Sequence, residues 1–458
     1  MVMAASAQSE TMELTPEYVR KILSSLDADN HENVRTLLGH LHPADIADLL
    51  GLVKRDERHE LIGCLPADNL AEILIELDGF ARDDIVQELA EQEPETIANA
   101  VRALQSDDAL YLLEDLNDQA RNAVLDFVPE ERQSIEAGLL YPEGCAGRIM
   151  QREVISVPVS WTVGQVIDFM RSTSNLPKSF YDLFVVDASN RPRGTVALSA
   201  LLRSQRATMV IDIADRDLDL VDVLTDQEEV AFQFKQYDLT SAPVVDAQGS
   251  LIGVIQVDDI MDVIDQEADE DIKRLAGVGD ETVADSFLST ARKRLIWLMI
   301  NLVTAFMAAS VIAQFEEQIN SLVALAVLMP IVAAVGGNAG TQSLTVAVRA
   351  LADRSLTQTN AMRVVSREAL VGFVNGVLLA ALTGGVSFFW FENGLLSGVI
   401  AVAMVLNMIT AALFGVLVPL ILERLGADPA VSSGVFVSTT TDVVGFFAFL
   451  GLATVVLL

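Results

Sequence analysis

The 458-residue chain predicts a multidomain α-helical membrane protein: a cytoplasmic α-superhelix, a tandem of α/β modules and five transmembrane helices. Three observations lead there. Most of the charge falls before residue 290 and the long apolar runs fall after it. A strand-and-helix segment beginning at Tyr181 recurs at Thr240, 59 positions on. Before it, short helical units repeat. The chain divides into residues 1–14, read as disordered, a helical acidic domain over 15–146, α/β modules over 147–205 and 206–264, a connector helix over 265–292 and a membrane domain over 293–458.

In the helical domain, LHPADIADLLGLV (Leu41–Val53) and LPADNLAEILIEL (Leu65–Leu77) are copies of one unit, and EPETIANAVRAL from Glu93 is a looser third. Each has a Pro near the helix start, where its missing N–H does no harm. Ile and Leu then follow at i, i+3 and i+4, so each helix has one apolar stripe. Such units stack into a superhelix. The acids Glu72, Asp107 and Asp108 are expected on exposed faces.

The net charge is −34, from 64 acidic and 30 basic residues. That balance argues against nucleic acid as a partner, because phosphates need basic surface. Cys64 and Cys145 are the two cysteines, and all four histidines lie between residues 31 and 59. No zinc or copper cluster is implied, and any metal must be held by oxygen, which favours magnesium, calcium or manganese. The stretch MVMAASAQSETMEL has neither an apolar core nor a basic flank, so it does not read as a signal peptide, and the N-terminal region is expected in the cytoplasm.

In the two modules, YDLFVVDASNRPRGTVALSALL (Tyr181–Leu202) parallels TSAPVVDAQGSLIGVIQVDDIM (Thr240–Met261). A Val-Val-Asp-Ala strand end leads to a turn, a Gly (Gly194 or Gly253), a second strand and a helix start. The pair resembles CBS modules, which pack as a regulatory tandem and often bind adenosine nucleotides or ions. The resemblance implies an Asp after the second strand that holds a ribose. Asp259 stands there in the second copy and Ala200 in the first, which leaves Asp259 as the candidate for ATP.

An acid run comes next: Asp258, Asp259, Asp262, Asp265, Glu267, Asp269, Glu270 and Asp271, with no base between them. Like charges at helical spacing repel. A solvated face tolerates part of this, and a bound divalent cation would relieve it. The connector ends in Arg292, Lys293 and Arg294.

Five spans follow, over 295–315, 321–346, 369–391, 396–422 and 434–458. Arg292, Lys293 and Arg294 precede span 1, Arg349, Arg354, Arg363 and Arg367 lie between spans 2 and 3, and Arg424 lies between spans 4 and 5. The other links carry no Lys or Arg, so the N-terminus is expected inside and the C-terminus outside. Span 5 contains STTTD, with Asp442 about 12 Å from its start. A carboxylate costs ~2.5 kcal/mol or more at the centre of a membrane helix. Its compensation is a cation, a basic partner, a proton or a water-filled path, and Ser438 with Thr439–Thr441 reads as the wall of such a path. Span 2 offers Pro330, Gly336, Gly337, Asn338, Gly340 and Gln342; Pro and paired Gly loosen a helix. Asn338, Gln342 and, in span 4, Asn407 are pore-lining candidates, and Gly340 reads as a packing position. One membrane carboxylate makes a thin pore, whereas a two-fold dimer doubles every group about an axis. Two carboxylates favour a divalent ion, and magnesium keeps several of its waters.

The order of a helical acidic domain, CBS pair, acidic connector and five spans, with PIVAAVGGNAGTQ in span 2 and STTTDVVGFF in span 5, resembles the MgtE family of magnesium transporters. The resemblance implies a homodimeric magnesium channel of the inner membrane whose cytoplasmic half closes the pore when cytosolic magnesium is plentiful. It implies a pore site at Asp442 with the backbone carbonyl of Ser438. It implies regulatory ligands at Asp226, Glu228, Asp238, Asp259, Glu267, Glu270, Asp271 and Asp428, and in the helical domain at Glu72, with Asp107 or Asp108 aligning ambiguously. The helix from about Asp271 to Arg292 would be the plug. Two rivals remain: a CBS-regulated carrier coupled to protons at Asp442, and a membrane-tethered sensor that transports nothing. No nucleophile–base constellation or glycine-rich phosphate loop suggests an enzyme.

Overall fold

The computed structural model describes residues 14–65, 69–77, 79–173, 176–177, 179–279, 287–431 and 433–457. Apart from Leu14, the disorder expected over 1–14 lies outside the described residues. The chain forms two compact units, Met1–Asp265 and Gln266–Leu458.

In the first unit, ten short helices run from Pro16 to Leu139 among the described residues. Pro16, Pro43 and Pro94 each open a helix. The apolar stripes meet in one core that includes Ile22, Leu50, Ile73, Ile97, Leu113 and Val124. Each helix is too short to be stable alone, so stacking of these stripes stabilises it.

The internal repeat is a structural repeat. Strands β1 (Ser156–Pro158), β2 (Asp182–Val186) and β3 (Pro192–Ala197) form one sheet in that order; β4 (Val221–Asp222), β5 (Ser241–Val245) and β6 (Leu251–Gln256) form the other. In each sheet the first pair is parallel and the second antiparallel. The register is the same in both: Asp182 faces Ala197 and Ser241 faces Gln256, with a shift at Val185/Val186 and at Val244/Val245. Asn190 and Gly249 take the left-handed turn position, at φ of 56° and 76°, which suits Asn and Gly. Phe184, Val186, Leu251 and Val254 form a shared cluster that joins the modules.

One helix, Val257–Leu275, begins in the second module and runs through the acid run without a break at 264–265. It stops inside the expected 265–292 connector. Gly277, at φ 70°, terminates it, with Gly277 N donating to Arg274 O and Val278 N to Lys273 O.

Among the described residues of the second unit, five helices are long and apolar enough to cross a membrane. Span 1 is Phe287–Ala313, span 2 Ala324–Ala352, span 3 Ala361–Phe391, span 4 Gly394–Arg424 and span 5 Ser433–Leu457. Span 4 is the central one, packing on spans 2, 3 and 5, and span 1 packs on span 5. Span 2 is helical through Pro330, Gly336 and Gly337, so the expected loosening does not break it.

Candidate functional site

Asp442 lies in the third turn of span 5, directly after the hydroxyl run, and is half-buried. Its carboxylate makes no hydrogen bond or ion pair with another described residue. The hydroxyls before it are turned onto their own helix: Thr439 Oγ1 donates to Val435 O at 2.6 Å, Thr440 Oγ1 to Phe436 O at 2.8 Å and Thr441 Oγ1 to Ser438 O at 2.8 Å. Such back-bonds satisfy a hydroxyl without a partner helix. The Ser438 carbonyl thus accepts from Thr441 Oγ1 in addition to the i+4 backbone N–H of its helix, so both of its lone pairs are engaged within span 5.

Span 2 crosses span 5 at Gly340. A Cβ there would meet Val437 Cγ1 at 2.5 Å and Thr441 Cγ2 at 3.6 Å, so Gly340 is a packing position, as expected. Asn338 and Asp442 therefore lie within a turn of the crossing on their own helices. Asn338, Thr341, Gln342 and Thr345 form an exposed polar stripe on span 2; Pro330 is exposed too, and Gly337 faces open space. Two of the pore-lining candidates lie elsewhere. Asn407 is fully buried, and its Nδ2 donates to Val332 O at 2.9 Å, while Oδ1 has no partner. It is wedged between Gly336 and Gly445, whose added Cβ atoms would stand 2.2 and 2.8 Å from its Nδ2. Both Gly336 and Asn407 thus lie inside the helix bundle, because only a hydrogen at Cα lets an amide fit between spans 2 and 5. Gly336→Ala is expected to destabilise the detergent-solubilised protein by about 1–3 kcal/mol, and the added Asn407→Ala to restore part of the loss. Equal melting midpoints for wild type and Gly336→Ala would count against the wedge.

Glu368 is a second carboxylate within a membrane-length helix. It precedes the span expected from residue 369, whereas the helix starts at Ala361 and includes it. Unlike Asp442 it is partnered, accepting from Ser343 Oγ at 3.2 Å.

The first unit carries an acid cluster. Asp107 and Asp108, in the first turn of the Ser106–Leu113 helix, face the start of the Val257–Leu275 helix. This corrects the expectation of exposed acids: Asp107 is 8% exposed, and its Oδ1 has no hydrogen-bond partner. Burial, then the charges of Asp259 and Asp108, push Asp107 well above the usual carboxylate range. Burial, then Asp262 and Asp258, push Asp108 up to about 6, with smaller contributions from Glu76 and Glu153. Asp259 is pushed up to about 7, by burial and then Asp258. Its Oδ2 accepts from Gln151 Nε2 at 3.1 Å and Gln256 N at 3.3 Å, which ties the carboxylate to this cluster. Glu76 and Glu153 had no sequence signal. Glu72 is exposed, and Glu76 is the nearby acid that acts on Asp108. An orphaned buried carboxylate oxygen among mutually repelling acids suits a hard cation. Among the described residues, however, no three acids, histidines or cysteines stand in metal-holding geometry.

Asp226 and Glu228 are not brought to Asp238. Asp226 caps the Gln227–Tyr237 helix, accepting from Glu228 N at 2.9 Å, and Asp238 ends that helix at φ 51°. The two ends are about 16 Å apart.

A third group lies in the second unit. Arg274 bridges Glu270 and Asp428 through its two terminal nitrogens. Asp428 also accepts from Ala430 N at 2.7 Å. Asp271 is pushed up by burial, then Asp428 and Glu267, and drawn down by Arg349. Leu275 packs into a cluster with Leu344, Val348, Ala430 and Val437. Glu270, Asp271 and Asp428 thus lie near one another, with Glu267 acting on Asp271, around an arginine that only its i+4 spacing from Glu270 could have signalled.

The fold also aligns Cys64 Sγ with His31 Nδ1 at 3.4 Å and His31 Nε2 with Asp29 Oδ1 at 3.0 Å. The thiol is in the helical core, 3% exposed, and burial raises its pKa. A reactive thiolate needs the opposite environment.

Among the described residues, five membrane-length helices joined to an acid-rich unit define a multi-pass membrane protein. The family models agree. MgtE, a divalent cation transporter, matches residues 329–452; the MgtE intracellular N domain matches 41–144; the CBS domain matches 146–207 and 210–266. The magnesium transporter MgtE of Thermus thermophilus is 33% identical over 441 residues, covering 93% of this chain and 95% of its own length. That of Bacillus subtilis is 28% identical over 440 residues, covering 96% and 97%. A crystal structure of the cytosolic domain of the Mg2+ channel MgtE in complex with ATP covers 54% of this chain and 99% of its own, at 30% identity and a TM-score of 0.49. The chain belongs to the MgtE family.

Proposed function

We propose that the protein carries magnesium across the inner membrane past Asp442 and that magnesium on its cytoplasmic acid clusters closes this path. The observation that carries the reading is Asp442 on span 5, without a partner among the described residues and within a turn of the Gly340 crossing with span 2, whose exposed residues include Asn338 and Gln342. In hydrocarbon neither is stable alone. A second copy about a two-fold axis would pair the polar stripes and set two Asp442 side chains on one water-filled path. The ion would be held through its water shell, which needs fewer direct ligands than a dehydrated site. The arginine-bearing links orient the N-terminus to the cytoplasm.

Closure follows from charge. The bare acids around Asp108 and Asp259, and around Asp271 and Asp428, repel one another, and a divalent cation binds the compact arrangement more tightly than the separated one. Nucleotide at Asp259 is a weaker part of the reading, because that carboxylate already serves Gln151 and Gln256.

The test is magnesium influx into liposomes holding the purified protein. Influx that falls as magnesium is raised on the cytoplasmic face supports the reading. Flux driven by pH without a divalent ion would favour the proton-coupled carrier, and no flux of any ion would favour the sensor.

A second test uses protons. Asp108 and Asp259 keep protons in the folded state at a pH where the unfolded chain has released them. Their contribution to stability is complete below about pH 4 and is lost as pH rises through about 6 for Asp108 and about 7 for Asp259. In chelator, the first thermal transition of the full-length protein is expected to be lower at pH 8 than at pH 5.5, and magnesium at pH 8 to raise it again. A midpoint indifferent to pH would argue against a strained cluster.

A further inference from the structure

Span 3 carries two arginines, Arg363 and Arg367, one helical turn apart near its first turn. Both are exposed, and neither makes an ion pair or side-chain hydrogen bond with another described residue. The one carboxylate beside them on this helix, Glu368, is engaged by Ser343. Along the helix the same face continues through Leu370, Val374 and Leu378, which are 63%, 49% and 62% exposed. Span 3 packs chiefly on span 4, so this face is turned away from the bundle. An exposed apolar helix face in a membrane domain is a lipid-facing one.

The register of the helix sets the depth of the arginines. Phe389 and Trp390, 85% and 66% exposed, mark the far end, and Trp anchors at the headgroup level. Arg367 is about 34 Å and Arg363 about 40 Å along the helix from Trp390. The hydrocarbon core is ~30 Å thick and the bilayer with its headgroups ~40–45 Å. Both guanidiniums therefore lie in the opposite headgroup layer, at the edge of a surface that lipid chains cover. Two forked donors one turn apart on a lipid-facing helix can each engage phosphate oxygens, and arginine does so bidentately.

The geometry points to an anionic phospholipid seated on span 3, its phosphate held between Arg363 and Arg367 and its chains along Leu370, Val374 and Leu378. The leaflet it comes from, the cytoplasmic one, rests on the orientation given above; the site itself does not. Charge complementarity selects an acidic headgroup over a zwitterionic one, whose choline would sit against the arginines.

The experiment is thermal unfolding of the full-length protein in neutral detergent with added phosphatidylglycerol, phosphatidylcholine or inorganic phosphate, and lipid counting by native mass spectrometry. Phosphatidylglycerol is expected to raise the midpoint of the wild type by several degrees and to remain bound, phosphatidylcholine to do neither, and Arg363→Gln/Arg367→Gln to lose at least half of the shift. An equal shift in the double variant, or equal shifts from both lipids, overturns the site. A shift from inorganic phosphate alone would assign the arginines to a soluble anion and overturn the lipid. The wild-type comparison among the three additives stands even if the double variant inserts poorly. None of these readings depends on ion flux, so failure here is distinct from failure of the transport reading.

Discussion

Asp442→Ala is expected to lower magnesium influx at least tenfold while leaving the protein folded. The carboxylate has no partner among the described residues to lose. Removing it also takes an uncompensated charge out of a membrane-length helix, which favours the folded state. Its effect on the ion is large. A carboxylate and a divalent cation about 5 Å apart, with water between them, attract by roughly 2–3 kcal/mol at an effective dielectric of about 40–80. That corresponds to about 30- to 160-fold in site occupancy, and a second copy of the residue would double the attraction energy. Asp442→Asn should resemble Asp442→Ala, because charge rather than hydrogen bonding holds a hydrated ion. Influx in liposomes, with melting midpoints of the variants as the folding control, makes the measurement. Undiminished influx in Asp442→Ala would move the site to the span 2 stripe, where Asn338 and Gln342 are exposed.

Arg274→Gln is expected to leave the path open at low cytoplasmic magnesium, raising flux there about fivefold. Arg274 provides the positive charge between Glu270 and Asp428, and Asp271 adds a third acid beside Asp428. Without it, three carboxylates face each other and push the end of the Val257–Leu275 helix off the loop before span 5. Leu275 would then leave its contacts with Leu344, Val348, Ala430 and Val437. The side chains of Arg274 and Asp428 are each about a third exposed, so solvent reduces a charge-assisted pair to about 1 kcal/mol. In the gating scheme the arginine holds part of the closed state without metal, and magnesium holds the rest. Arg274→Gln should thus need more magnesium to close. Asp428→Asn should loosen the same contact, and the double variant should be no looser than either single one. Additive effects in the double variant, or unchanged closure in Arg274→Gln, would separate the pair from gating.

The domain order and all five spans were legible in the sequence, for physical reasons that act locally. A run of about 20 apolar residues has one stable environment, and alternating strands repeated at 59 positions specify a repeated module whose register is then copied, Asp182 to Ala197 and Ser241 to Gln256. Asp442 was legible because a charge stands out in an apolar helix. The acid run around Asp259 was legible as a liability, without its partner.

What lay beyond the sequence was everything set by approach between distant segments. Asp107 looks like any surface acid until the fold buries it within reach of the Asp259 charge. Asn407 and Gly336 read as polar and open, yet they interlock because a glycine leaves room that an amide fills. Arg274 carries no signal of its pairing with Asp428, 154 positions away. Periodicity and composition determine which segments are helices, which cross the membrane and which carry uncompensated charge. Which charges meet, and therefore which can be bridged by an ion, is decided only by tertiary packing, since Coulomb interactions depend on distances in space that local spacing does not encode.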